Sequence, residues 1–432
     1  MEDDVVNNDV NMGQSFDEEL SKEIKEKFYH VDVDPIYKTK RIFFDNAGGA
    51  LRLKSANDIF KKVDELPDCP EHSNRTARWL YNVQEEAIRD LRTIFNVKSG
   101  SFVTSLTASM VMFEVVRAII EGIQGTNVVT TALEHPSSFD AITSYAKSNE
   151  KEVRVAEANH ITGGVDVDDI INLIDENTCM LSVMHASNMS GAVLDLESIV
   201  REARKIKPDL YIVCDAVQHM PHNFVDLEKT PVDAINFAPY KFFGPRGFGV
   251  GYLSDRASKL PHDKLIAKPI EEWELGSPAP AHFSAITEIV NYVCWIGSKF
   301  INSTDRRELY VEGMTRINLH ERALMYRMLN GTDEVAGLRN IEGVHVLLDY
   351  EDLSTRDLIL AIGFDNLDYS KAVEEYEKKG VIVFERIISS LYSERMLKTL
   401  KIGGTVRISP LHCHTKEDID NFLIVTKQLA KL

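Results

Sequence analysis

Cysteine is scarce. Five residues, Cys69, Cys179, Cys214, Cys294 and Cys413, are scattered through 432 positions, and none forms a C-x-x-C pair. An odd, unpatterned set excludes a disulfide framework and reads as reduced thiols, which leads to the expectation of a cytoplasmic protein. Positive charge is in deficit: 49 Lys and Arg stand against 67 Asp and Glu, a formal net charge of −18. That balance argues against nucleic acid or an anionic membrane as a partner, while leaving room for a local basic pocket. Long apolar runs are also missing, and none reaches the roughly 18 residues a membrane-crossing helix needs. The opening stretch, MEDDVVNNDVNMGQSFDEEL, lacks the basic and apolar regions of a signal peptide. Gly247, Gly249 and Gly251 do not open a helix with an acid about 20 residues on, so a dinucleotide fingerprint is absent.

What is present is alternation. Strand-length apolar runs at Arg41–Phe44, Thr126–Leu133, Val153–Ala156, Met180–His185 and the run ending at Asp215 are interleaved with helical spacing. The helical stretches are Val83–Phe95, Met110–Ile120, Val167–Ile174 and Leu196–Lys205. This order predicts an α/β fold with a mostly parallel sheet, its ligand groups gathered at the strands' carboxyl ends. Residues 1–40 read as an N-terminal arm, polar and disordered to residue 18 and then helical over 19–30. Residues 41–280 read as a large domain. Residues 281–432 read as connecting helices and a small C-terminal α/β domain, with strands near Val344–Leu348, Val381–Phe384 and Thr405–Ile408 and a helix at Lys416–Leu429.

The chemistry is concentrated in Ala234–Leu253, AINFAPYKFFGPRGFGVGYL. An apolar run ends in a lone lysine, Lys241. Burial would disfavour its charged form and make it a usable amine nucleophile; a surface lysine on a turn would show the same pattern. A second apolar run stops at Asp215, 26 positions earlier. A lysine and an acid at two strand ends are what a pyridoxal 5'-phosphate (PLP) site requires. The segments Asp215-Ala-Val-Gln218 and Ala238-Pro-Tyr-Lys241-Phe-Phe-Gly244-Pro245-Arg-Gly247 resemble the D-x-x-Q and S-x-H-K-x-x-G-P-x-G segments of the class V aminotransferase and cysteine desulfurase family of fold-type I PLP enzymes. Two positions depart from that pattern, Ala238 for Ser and Tyr240 for His.

The resemblance implies roles that the residues alone leave open. Lys241 would carry the cofactor and Asp215 would hold its ring nitrogen protonated. His135, in Glu134-His135, would cover the ring. Asn188, in His185-Ala-Ser187-Asn188-Met-Ser-Gly191, and Gln218 would bond its phenolic oxygen. Ser105, Leu106 and Thr107 stand where the family has Gly-Thr-Thr for the phosphate, so only Thr107 keeps a family hydroxyl. Hydroxyls before a helix also serve as ordinary caps. Gly276-Ser277-Pro278 stands for a Gly-Thr-Pro turn that reaches the other subunit's phosphate, which implies a homodimer with Ser277 at the contact. Asn46-Ala47-Gly48 would form a substrate-side loop. Arg407, in Arg407-Ile-Ser409, would grip the substrate's α-carboxylate; a salt bridge to a protein acid is the alternative. His412-Cys413-His414, taken as strand, would point its cysteine away from both histidines, so no metal site is expected.

One family residue is missing. Desulfurases that form a persulfide carry a cysteine on the loop before the R-x-S strand. Glu385–Thr399, ERIISSLYSERMLKT, has none. The resemblance therefore implies a PLP enzyme acting on a small amino acid, by carbon–sulfur or carbon–selenium elimination without an enzyme persulfide. Transamination, epimerisation, or a non-catalytic binding role are the alternatives.

Overall fold

The computed structural model describes residues 10–432; residues 1–9, the start of the arm expected to be disordered, lie outside the described residues. The rest of that arm is ordered, contrary to expectation. Phe16 is 6% exposed, stacks on His320 with ring centroids 4.3 Å apart, and donates its N–H to His320 Nδ1 at 3.0 Å. Asp17 then caps α1 (Glu18–Glu26), whose Leu20 and Ile24 face the core. An aromatic anchor and a capped amphipathic turn outweigh the polar composition that suggested disorder.

Strand β1 (Ile42–Phe43) pairs in parallel with β11 (Val381–Ile382), far along the chain, and stands apart from the large sheet. Helices α2 (Lys54–Asp64) and α3 (Arg75–Phe95) follow. The large sheet is then laid down by β2 (Ser101–Ser105), β3 (Asn127–Thr131), β4 (Glu152–Ala156), β5 (Thr178–Met184), β6 (Tyr211–Asp215), β7 (Ala234–Phe237) and β8 (Gly249–Leu253). Their spatial order is β2-β8-β7-β6-β5-β3-β4, and only β8 runs against the others. The crossovers carry α4 (Ala108–Gly122), α5 (Pro136–Ser148), α6 (Val167–Ile171) and α7 (Leu196–Ile206).

Period-two alternation divides the sheet's side chains between two cores. Val128, Met180 and Val213 pack under α4 and α5, while Val129, Leu181 and Cys214 pack on the opposite face. With both faces covered, strands such as β5 are buried along their whole length, which is why they read as unbroken apolar runs.

Two long helices, α8 (Pro280–Ser298) and α9 (Arg306–Asn330), lead to the C-terminal part. The 25-residue α9 enters both regions: Tyr310, Met314 and Ile317 sit in the larger core, Leu324, Met325 and Met328 in the smaller one. There β9 (Val344–Leu347), β10 (Leu360–Phe364), β12 (Phe384–Ile387) and β13 (Gly404–Ile408) form an antiparallel sheet ordered β12-β13-β10-β9. It is flanked by α10 (Tyr369–Lys378) and α12 (Lys416–Leu429); α11 (Glu394–Leu400) lies between β12 and β13.

Two local expectations fail here. Glu385–Thr399 is not a loop but most of β12, a turn, and most of α11. β13 ends at Ile408, so His412-Cys413-His414 lies on a turn, with all three side chains buried. His412 Nε2 bonds the Tyr292 hydroxyl at 2.7 Å, and Glu321 accepts the His412 N–H at 3.0 Å. No helix among the described residues is long and apolar enough to cross a membrane.

Candidate active site

Five parallel strands, β2, β3, β5, β6 and β7, end on one side of the large sheet, and their exits build a cavity of about 360 Å³. That lies within the range of small-molecule sites, roughly 300–1,000 Å³. Lys241 follows β7 on a tight turn, with its N–H donated to Ala238 O at 2.9 Å and Gly244 N–H to Pro239 O at 2.8 Å. Phe243 closes the turn in the left-handed region, φ 64°, where a non-glycine residue needs outside support. Leu53 gives it, donating its N–H to Phe243 O at 2.9 Å.

The Lys241 side chain is 8% exposed. Burial, reinforced by the positive charge of Arg407, pulls its amine down to about 8, with Asp215 acting in the opposite sense. Asp215, the last residue of β6, lines the same cavity. Burial raises its carboxyl above the ordinary range, offset in part by the Val217 N–H at 3.1 Å, the Ser138 hydroxyl at 2.9 Å and the Lys241 charge. Beneath it, Glu134 is fully enclosed; burial first and Asp215 second push it up to about 8. Its Oε1 accepts from Met184 N at 2.7 Å and from the Thr131 hydroxyl at 2.8 Å.

His135 caps α5 and lines the cavity. Its Nδ1 accepts the Ser137 N–H at 3.2 Å and pairs with the Ser137 hydroxyl at 2.6 Å. Burial, then Lys241 and Arg386, lower it to about 3, so the ring is neutral. Asn188 and Gln218 also line the wall, and the side-chain oxygen of each is buried without a partner. Either amide orientation leaves unspent hydrogen-bonding capacity facing the cavity. Thr107 caps α4, accepting the Met110 N–H at 3.1 Å, and Leu106, Ala108 and Ser109 complete the helix start at the cavity floor.

The remaining sequence candidates lie around this group. Ser105 and Ser277 line a neighbouring cavity of about 830 Å³, bounded also by Leu106 and Met110; the exposed Ser277 hydroxyl bonds the Glu71 carboxylate. Arg407 is 3% exposed, giving Nη2 to Asp45 Oδ1 at 2.7 Å and Nη1 to Asn188 O at 3.2 Å. Asn46 spends its side chain on backbone: Nδ2 donates to Phe43 O and Ser409 O, and Oδ1 accepts from Leu51 N. The Ala47 N–H goes to the Ser409 hydroxyl at 3.0 Å, and Gly48 lies against the Asp45 carboxylate. None of Asn46, Ala47 and Gly48 lines the cavity; their neighbour Asp45 connects them to it through Arg407.

Ser138, Asp45, Arg386 and Ser109 were not singled out from the sequence. Ser138 and Ser109 are three and two residues past the motif positions His135 and Thr107. Asp45 stands at the head of the Asn46-Ala47-Gly48 loop. Arg386 gives no local signal.

The pieces fit a flat, phosphorylated aldehyde: a poised amine, a buried carboxylate, a neutral ring, two unspent amides and a helix N-terminus converge on one volume. A sequence model of the family Aminotransferase class-V matches residues 42–422. The chain belongs to this family. Class-V aminotransferases use PLP, and this chain is a cysteine desulfurase-like member of the class. It is 25% identical over 423 residues to a probable cysteine desulfurase of Borreliella burgdorferi, covering 90% of this chain and 92% of that one. A cysteine desulfurase of Wigglesworthia glossinidia brevipalpis is 24% identical over 437 residues, covering 95% and 97%. The apo structure of a cysteine desulfurase from Thermococcus onnurineus NA1 superposes with a TM-score of 0.79 at 19% identity, covering 95% of this chain and 98% of that one. The fold is therefore the fold-type I PLP fold expected from the sequence.

Proposed function

We propose that this class-V enzyme is a lyase that eliminates a sulfur or selenium substituent from a small amino acid without forming an enzyme persulfide. One observation carries the reading: none of the five cysteines lines the cavity that holds Lys241. Cys413, nearest in sequence to the Arg407 strand, is 1% exposed, and burial pushes its thiol far above the ordinary range. A thiol that is neither ionised nor accessible cannot take sulfur from a substrate.

The cofactor, when bound, supplies a sink for the electron pair left when the substrate's Cα–H bond breaks. Lys241 anchors it and, once displaced by the substrate's amino group, moves the Cα proton; an amine with a pKa of about 8 suits that task near neutrality. Asp215 would hold the proton on the ring nitrogen. His135 would cover the ring, and Asn188 and Gln218 would offer their unpartnered amide groups to its phenolic oxygen. Thr107 and the start of α4 would receive the phosphate, joined by Ser277 of a second copy in a homodimer. Arg407 takes the α-carboxylate. The Cβ–S or Cβ–Se bond would then break, and the substituent would leave as a thiol or selenol with the proton that Lys241 took from Cα. Hydrolysis of the remainder consumes one water and gives pyruvate and ammonia.

The test is a panel of cysteine derivatives, with sulfide or thiol, pyruvate and alanine measured alongside the intact mass of the protein. Equal amounts of thiol and pyruvate with no added mass are expected. Alanine with a sulfur adduct on the enzyme would overturn the reading. Amino transfer to an added keto acid, with no sulfur released, would establish an aminotransferase instead.

A further inference from the structure

Arg386 has no part in the roles above. In the β12–β13 ladder Phe384 pairs with Arg407 and Arg386 pairs with Thr405. Opposed residues share a face, as do residues two apart, so Arg386 and Arg407 rise from the same face of the small sheet on adjacent strands. Both are buried, at 6% and 3% exposure. Two guanidinium groups so placed repel each other out of water, and carbonyl acceptors such as Asn188 O and Tyr392 O leave their charge to be balanced by anions.

The structure supplies one shared anion. Asp45 binds Arg407 directly, and its charge also favours Arg386. Arg386 otherwise gives a single hydrogen bond, Nη2 to Tyr392 O at 3.1 Å, and the Nε groups of both arginines are buried without partners. Burial first and the Arg407 charge second pull Arg386 down to about 9, with Asp45 acting in the opposite sense. The ladder places Arg386 diagonally across from Arg407, whose Nη1 reaches Asn188 O on the cavity wall, and this sets it at the substrate end of the site. The other groups here are the Lys241 amine, the neutral His135, and Arg395, which spends its fork on the carbonyls of Ala132 and Glu134. Asp215 is committed to the ring nitrogen. Once Arg407 holds an α-carboxylate, Arg386 remains a buried cation with open donors.

We propose that Arg386 binds a second acidic group at the end of the substrate's side chain, so that the preferred substrate is a dicarboxylic amino acid. Under the elimination reading, on which this rests for the reaction though not for the binding, that is a cysteine whose sulfur carries a carboxylate-bearing substituent. A carboxylate suits the planar donor fork of an arginine.

The test compares S-carboxymethyl-L-cysteine with its neutral isostere S-carbamoylmethyl-L-cysteine on the cofactor-loaded enzyme, and titrates glutarate against it by calorimetry. The acidic substrate should be preferred in kcat/KM by about tenfold or more, as expected for a charge-assisted contact. Arg386→Met should abolish that preference, so that the two substrates are turned over equally on the variant, and should weaken glutarate by about tenfold. Arg386→Lys, which keeps the charge and loses the fork, should retain part of the preference as a raised KM with kcat unchanged. Equal turnover of the two wild-type substrates, or a preference and glutarate affinity untouched in both variants, would overturn the inference. Arg386-dependent glutarate binding without cleavage of either substrate would support the inference while removing the lyase reading.

Discussion

Lys241 shows how far one residue's chemistry can be inferred before its surroundings are known. Its place at the end of a buried run was legible, and burial alone predicted a lowered pKa. The contribution of Arg407 was not, because it comes from 166 positions away in sequence across a contact no local pattern encodes. An amine with a pKa of about 8 is mostly protonated at pH 7 and neutral above pH 9. The rate at which cofactor-free protein takes up PLP should rise through pH 8 and level off, and borohydride should then fix the label on Lys241. Arg407→Met, which removes a charge that lowers the amine's pKa, should move the midpoint upward. A flat profile from pH 6.5 to 9.5 would contradict this account.

Glu134 makes a stability prediction of opposite chemical sense. Its folded-state pKa, about 8, is raised above the ordinary carboxylate value of 4.5. Between those values the folded state binds a proton that the unfolded state lacks, so this group's contribution is complete below about pH 4.5 and is lost as pH rises through 8. Glu134→Gln removes the titration and keeps an oxygen for Met184 N–H. Thermal melts from pH 5 to 8 should show the variant gaining on the wild type as pH rises; a constant difference would refute the assignment. Nothing in the sequence marked Glu134 beyond its place beside His135.

Among elements, what was legible followed the periodicities. The helix at Lys416–Leu429 appears with the bounds read from the sequence, and the large-sheet strands fall within a few residues of the apolar runs. α10 and α11 escape the sequence reading, as does β12 within the Glu385–Thr399 segment, because short half-buried segments carry too few periods to register. β10 escapes it too, although it is an apolar run buried over four of its five residues. The start of α4 depends on an element far from it in sequence. Gly249, at the head of β8, lies so close that a Cβ there would sit 2.2 Å from Ala108 N and from Thr107 C. Gly249→Ala should therefore displace the helix start, weakening cofactor retention more than it weakens the fold. Equilibrium dialysis of PLP against the variant checks this, and wild-type affinity would contradict it.

For the whole molecule, the sequence resemblance implied a homodimer through Gly276-Ser277-Pro278. The second cavity that Ser277 lines opens beside the first, and its rim exposes Leu106, Met110 and Leu275, at 67%, 50% and 52%. Light scattering on a sizing column should give twice the chain mass of 48.8 kDa. Met110→Glu should yield monomers that lose PLP faster; a monomeric wild type with tightly held cofactor would remove Ser277 from the site.

The pairing of β1 with β11 also governs the order in which the chain can be assembled. At roughly 5–20 residues per second, the ribosome needs on the order of 20–70 s after making Phe43 before Val381 exists to meet it. Phe44, with no exposure in the finished protein, waits as long for its neighbours Val381 and Phe422. A nascent chain stalled near residue 370 should therefore be cut readily by protease around residues 41–44 while β2–β8 resist. Equal protection of both regions would mean that the N-terminal strand finds another shelter during synthesis.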